Sequence, residues 1–153
     1  METIAAANAT VEAILNVKGR QVWSVTPDTT VFEAIRLMAE RNVGALLVME
    51  GDRLVGIMSE RDYARKVALL GKNSRSTPVR EILTPALHTV TPRTTIAECM
   101  ALMTDKRIRH LPVLEGGKVV GIISIGDLVN WIIHAQAAAI DQLQAYIAGG
   151  YPG

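Results

Sequence analysis

Val55-Gly56-Ile57-Met58-Ser59-Glu60-Arg61-Asp62 is written twice in this chain. Sixty-five residues later it returns as Val120-Gly121-Ile122-Ile123-Ser124-Ile125-Gly126-Asp127. Each copy runs from an apolar segment, through a Ser, to an Asp three positions on, and then into a helical pattern. An internal repeat of this kind means two similar supersecondary units, neither able to bury its apolar face alone.

The match extends upstream from the motif without a gap as far as Ser24 and Thr89. Val25-Thr26-Pro27 answers Val90-Thr91-Pro92, a short extended segment closed by proline. Thr29-Thr30 and Thr94-Thr95 supply helix caps. Val31, Ala34, Ile35 and Met38 then fall on one helical face, and Ile96, Cys99, Met100 and Met103 repeat that face. The runs Ala45 to Met49 and Leu111 to Leu114 read as buried strands. Glu50-Gly51-Asp52-Arg53 and Glu115-Gly116-Gly117-Lys118 are turns, and Leu54 to Met58 and Val119 to Ile123 return as strands.

Each copy thus reads β-α-β-β-α, preceded by a helical phrase: Thr10 capping Val11 to Leu15, and Thr77 to Leu83 with Pro78 in the first turn. The expected fold is α+β. Two such repeats, residues 10–71 and 77–134, pack with pseudo-two-fold symmetry, with a helical turn at the N-terminus. The helix pattern that stops at Gly71 in the first copy runs on in the second. Ile133, Ala137, Ile140, Leu143 and Ile147 keep an apolar stripe within an extended C-terminal helix and tail, residues 135–153. That stripe requires a partner, either the N-terminal helix or another subunit. Residues 1–8 read as frayed or weakly helical, and Gly149 to Gly153 as a loose tail.

Composition narrows the function classes. Sixteen basic and fifteen acidic side chains give a formal charge of +1, which argues against a chain-wide nucleic-acid surface. Cys99 is the one cysteine, so there is no disulfide framework or thiolate cluster, and a reducing cytoplasm fits. No uncharged apolar run approaches a membrane span, and the N-terminus lacks a secretory pattern. His88, His110 and His134 have no metal-ligand spacing. A P-loop, a Gly-x-Ser-x-Gly elbow and a dinucleotide glycine fingerprint are all missing. The expectation is a non-enzymatic protein without a metal site.

Ser-x-x-Asp at a strand-to-helix junction has two compatible readings. It is a capping pair, with Ser at the N-cap and an acid at N3. It is also an arrangement in which a hydroxyl and helix-start amides face a phosphate, while a carboxylate accepts ribose hydroxyls. Cations for a phosphate are at hand in Arg61 and in Lys106-Arg107-Ile108-Arg109-His110, the densest basic stretch.

These paired segments, with Leu111-Pro112-Val113 and the two Ser-x-x-Asp motifs, resemble two CBS domains, the cystathionine-β-synthase repeat, forming a Bateman module. More narrowly, Ser59 to Lys66 with Arg109 to Val113 is similar to stand-alone bacterial CBS pairs assigned to signal transduction. The resemblance covers roughly residues 10 to 134. It implies an adenosine-containing regulatory ligand, AMP first and NAD(H), ADP or ATP next, held in a cleft between the repeats, with no catalytic cofactor. It assigns Asp62 and Asp127 to ribose, and Ser59 and Ser124 to the phosphate side. It implies two adenine slots. Lys18, Gln21 and Trp23 with Val43, Gly44 and Ala45 form one; Thr84, Ala86 and His88 with Ile108, Arg109 and His110 form the other. Asn16 departs from the family's Thr, which Thr84 matches, and the first copy carries the extra residues Lys18-Gly19-Arg20. The resemblance further implies a homodimer and output through a separate, unknown effector protein, without nucleic-acid or membrane partners. The rival reading is a purely structural dimerisation module with empty clefts.

Overall fold

The computed structural model describes residues 8–145. Helix α1 spans Val11–Lys18, strand β1 Ser24–Val25 and helix α2 Val31–Arg41. The hairpin of β2 (Ala45–Glu50) and β3 (Arg53–Ser59) leads into the short helix α3 (Glu60–Tyr63) and a π-helical turn, Ala64–Ala68. A 3-10 turn, Val79–Glu81, precedes β4 (Thr84–Pro85). The second copy has α4 (Ile96–Lys106), β5 (His110–Glu115), β6 (Lys118–Ser124) and α5 (Ile125–Ala145). The α+β class and the repeated β-α-β-β-α order are both present.

The matched helices form for the same local reasons. Thr30 and Thr95 cap α2 and α4 by accepting the amides of Glu33 and Glu98, and Glu98 closes a full capping box. Both helices end on a left-handed residue at the same repeat position, Asn42 and Arg107, each with φ 54°. The apolar faces read from the sequence are the buried ones: Val31, Ala34 and Met38 in α2, Ile96, Cys99 and Met103 in α4.

The chain divides into two compact units that do not coincide with the two repeats. Among the described residues, one comprises 21–89 and 114–121, the other 8–20, 90–113 and 122–145. In the first, the sheet order is β1-β2-β3-β4, with β1 parallel to β2 and the other pairs antiparallel. Its core gathers Val31, Ala34, Met38, Leu46, Val48, Met58, Val67, Val79 and Ile82. In the second, Val90 makes a parallel bridge to Val113 of β5, repeating the β1–β2 relation in a single residue pair. Here α1 and α4 both pack on α5, and Thr10 bridges Thr95.

Three local expectations are corrected. Thr10 stands at the N-cap of α1, but its side chain makes no capping bond; the amide of Val11 is taken instead by the carbonyl of Thr94. Pro78 lies just before its turn rather than inside it, and that turn is a single 3-10 turn. The helix after Ser59 does not continue regularly to Gly71, because Leu69 N–H bonds five residues back to the Ala64 carbonyl. Trp131 on α5 is half-buried, with its Nε1 shielded from solvent and without a hydrogen bond among the described residues. The apolar stripe of α5 is confirmed as far as Leu143, but Ile133, Ile140 and Leu143 stay more than half exposed despite α1. Ile147, the first seven residues and the C-terminal tail lie outside the described residues.

Candidate functional site

Both Ser-x-x-Asp motifs stand at the junction from a strand into a helix, and both form the capping pair. Asp62 N–H donates to Ser59 Oγ at 3.2 Å, and Ser59 N–H donates to Asp62 Oδ2 at 2.9 Å. The same two bonds at the second motif measure 3.1 Å and 2.8 Å. Each junction is fixed by one further bond. Glu60 N–H donates to the Gly44 carbonyl at 3.1 Å, and Ile125 N–H to the Arg109 carbonyl at 2.9 Å. The approaches to the central strands, expected as slot walls, therefore lie directly against their own motifs.

The leading segments are exchanged relative to the expected slots. β4 pairs antiparallel with β3, Thr84 opposite Ile57, which brings Thr84 Oγ1 within 3.0 Å of Asp62 Oδ1. Thr84, Ala86 and His88 thus join Ser59, Arg61 and Asp62 in one unit, not Ile108, Arg109 and His110. Lys18, expected beside Val43 to Ala45, lies with the second motif. Its Nζ donates to Asp127 Oδ2 at 2.6 Å and to the Ile122 carbonyl at 2.9 Å. The reason is chain path: the strand edge covered by β4 at Ile57 is met, at the matching Ile122, by the lysine that ends α1. Gln21 is exposed, and Trp23 is half-buried under the Arg41 guanidinium, 4.1 Å from the ring centroid. Both belong to the unit of the first motif.

Lys66 was missed as a site residue. Its Nζ lies 3.0 Å from Asp62 Oδ1 and 3.0 Å from the Ile82 carbonyl. The signal was present, since Asp62 and Lys66 have the i, i+4 spacing that brings side chains together on a helix. Asp62 is only 6% exposed and is the centre of this cluster. Stripping its carboxylate would remove the shared acceptor of Ser59, Lys66 and Thr84. Lys66 is partly exposed and Thr84 exposed, and both could turn to water, so the loss falls on the ties between these segments. Among the described residues no three His, Cys, Asp or Glu side chains gather as a metal site.

Two junctions of the same geometry, each with a Ser, an Asp and a lysine, are matched by comparison with known proteins. The CBS domain family matches this chain twice, over residues 11–69 and 79–134. The chain belongs to the CBS-domain family. A CBS-domain protein from Burkholderia ambifaria MC40-6, provisionally assigned to signal transduction, is similar in structure at a TM-score of 0.81. It shares 53% identity, over 83% of this chain and 96% of that one. The mitochondrial CBS domain-containing protein CBSX3 of Arabidopsis thaliana is 41% identical over 99% of this chain and 78% of its own length. The CBS domain-containing protein YhcV of Bacillus subtilis is 36% identical over 78% and 85%. Two CBS domains in one chain make this a regulatory module of a kind that commonly binds nucleotides. No helix among the described residues is long and apolar enough to cross a membrane.

Proposed function

We propose that this CBS pair is an adenine-nucleotide sensor with AMP as its ligand, and NAD(H), ADP and ATP as the related nucleotides to compare. The observation that carries the proposal is the start of α5. There a carboxylate suited to ribose hydroxyls, Asp127, stands three residues from a hydroxyl, Ser124, with the Lys18 ammonium 2.6 Å from the carboxylate. One end of this arrangement accepts hydrogen bonds and the other donates them with a positive charge, which is the polarity of a nucleoside monophosphate.

The output is regulatory and not catalytic. A ligand that binds one arrangement of the module better than another shifts the balance between them by its difference in affinity, and an effector protein reads the shift. The exposed apolar residues of α5 support a homodimer, and a single buried cysteine suits the cytoplasm.

The test is a thermal-shift and calorimetric screen of AMP, ADP, ATP, NAD⁺, NADH and S-adenosylmethionine on protein verified to be nucleotide-free. A true ligand at a hundred times its Kd should stabilise the fold by about 2.7 kcal/mol. A stable dimer that responds to none of them would make the chain a structural dimerisation module instead.

A further inference from the structure

We propose that the two Ser-x-x-Asp motifs do different work: Asp127 alone takes a nucleotide, with Lys18 as its selectivity residue, while Asp62 is a structural tie. This rests on the nucleotide reading above and narrows it to one nucleotide per chain.

A carboxylate has about four acceptor positions, two on each oxygen. At Asp62 all four are used. Oδ2 accepts Ser59 N–H at 2.9 Å and Ser59 Oγ–H at 3.1 Å; Oδ1 lies 3.0 Å from both Thr84 Oγ1 and Lys66 Nζ. Its donors have other duties: Thr84 lies in β4 and Lys66 also holds the Ile82 carbonyl. A ribose could reach this carboxylate only by undoing the bonds that tie residues 82–85 to the motif.

Asp127 is the opposite case. Ser124 N–H and Lys18 Nζ both fall on Oδ2, and Oδ1 has no partner among the described residues. Its side chain is 22% exposed, against 8% for Asp62. Ser124 Oγ accepts the Asp127 amide but, unlike Ser59, gives no proton to the carboxylate among the described residues. Lys18 commits two of its three ammonium protons, to Ile122 and Asp127. The site therefore offers a carboxylate oxygen to a ribose diol, and a hydroxyl proton and an ammonium proton to a phosphate.

Lys18 gives this site its selectivity. A nucleoside without a phosphate must share Asp127 with the ammonium, which draws on the same negative charge, and returns nothing to the lysine. A nucleotide supplies the lysine with a second anion while the ribose takes the carboxylate.

Isothermal titration of the full chain with AMP and with adenosine tests this. The wild type should take up one AMP per chain and bind AMP more tightly than adenosine. Asp127→Asn should weaken AMP by about tenfold or more, as expected when a charge-assisted bond is lost, while lowering the ligand-free melting temperature less than Asp62→Asn does. Lys18→Met should raise the affinity for adenosine, lower that for AMP, and so bring their ratio towards one. Asp62→Asn should lower the melting temperature and leave AMP affinity and stoichiometry as they are. Thr84→Val, which removes one donor only, serves in its place should that variant not fold. Two AMP per chain would overturn the proposal. So would a loss of AMP affinity in Asp62→Asn or Thr84→Val equal to that in Asp127→Asn, or an unchanged ratio in Lys18→Met. A wild type that binds neither AMP nor adenosine would overturn the nucleotide reading itself, and this proposal with it; the other adverse outcomes leave that reading standing.

Discussion

Gly56 lies so close to the backbone of Thr84 that a β-carbon on residue 56 would stand 2.5 Å from the Thr84 carbonyl oxygen and 2.7 Å from Leu83 Cδ1. The absence of a side chain on β3 is what lets β4 dock at its edge, and β4 is what delivers Thr84 to Asp62. Gly56→Ala is therefore expected to destabilise the chain by about 1–3 kcal/mol, the usual cost of forcing an extra carbon into a packed site. The backbone oxygen cannot yield as a flexible side chain would. Chemical denaturation measures the loss. Amide exchange should place the greatest loss of protection in residues 82–85, and an unchanged denaturation midpoint would show that β4 does not depend on this approach.

Cys99 sits on the buried face of α4, at the position that Ala34 holds in the first copy. Burial, and then the charge of Glu98, push its thiol up to about 11 from 9.0. At pH 8 this leaves about 100-fold less thiolate than an ordinary cysteine would carry, and the thiolate is the reactive form. A disulfide reagent should thus fail to label the folded protein and label it fully in denaturant, with Cys99→Ala as the blank. The sign for stability follows from a raised folded-state value. The neutral thiol's contribution is complete below the unfolded value and is lost as pH rises from about 9 to about 11. Fast labelling of native protein at pH 8 would contradict the buried position.

Thr95 and Glu98 close the capping box of α4. Glu98 Oε1 accepts the Thr95 amide at 3.0 Å and its hydroxyl at 2.9 Å. Those two bonds, backbone first, hold the Glu98 carboxyl below its ordinary value, against a small opposing effect of burial. A lowered folded-state value means that the linked stability is present above the unfolded glutamate's value. It disappears as pH falls through the folded one. In Thr95→Ala, an NMR titration should find the Glu98 carboxyl moved back up, and the helix should lose about 1 kcal/mol with its cap. A Glu98 titration that is the same in both proteins would remove the hydroxyl from this account.

The strands, the two capped helices and the site aspartates were legible because each is a local pattern written twice. Val31, Ala34 and Met38 repeat as Ile96, Cys99 and Met103, and one face of each helix is buried as the spacing requires. What was not legible depends on where the chain goes between patterns. An offset of sixty-five residues says which residues correspond, but not that Thr84 lies against Asp62 and Lys18 against Asp127. β4 is only two residues long and contains a proline, so no alternation announces it. The π turn after Tyr63 has the composition of an ordinary helix, and only the Leu69 to Ala64 bond distinguishes it. Arg107 is a poor left-handed residue by type, so nothing in its identity announces the φ of 54° that it shares with Asn42.

Helix α5 supplies the last expectation. Val129, Ile133, Ile140 and Leu143 are exposed in the single chain. At 3.6 residues per turn their spacings of four, seven and three place them within one stripe of the helix. A soluble helix normally turns such a stripe inward. α1 packs on α5, yet these four side chains remain uncovered among the described residues. A second copy would remove them from water, at about 25 cal/mol per Å² of apolar surface buried. Ile133→Glu combined with Ile140→Glu introduces two charges into that stripe on each helix, where they would face like charges without partners. Sedimentation should then find the wild type dimeric and the double variant monomeric. The fold of each chain should survive, because neither position is buried within it. A variant that sediments like the wild type would leave α5 outside the contact between copies.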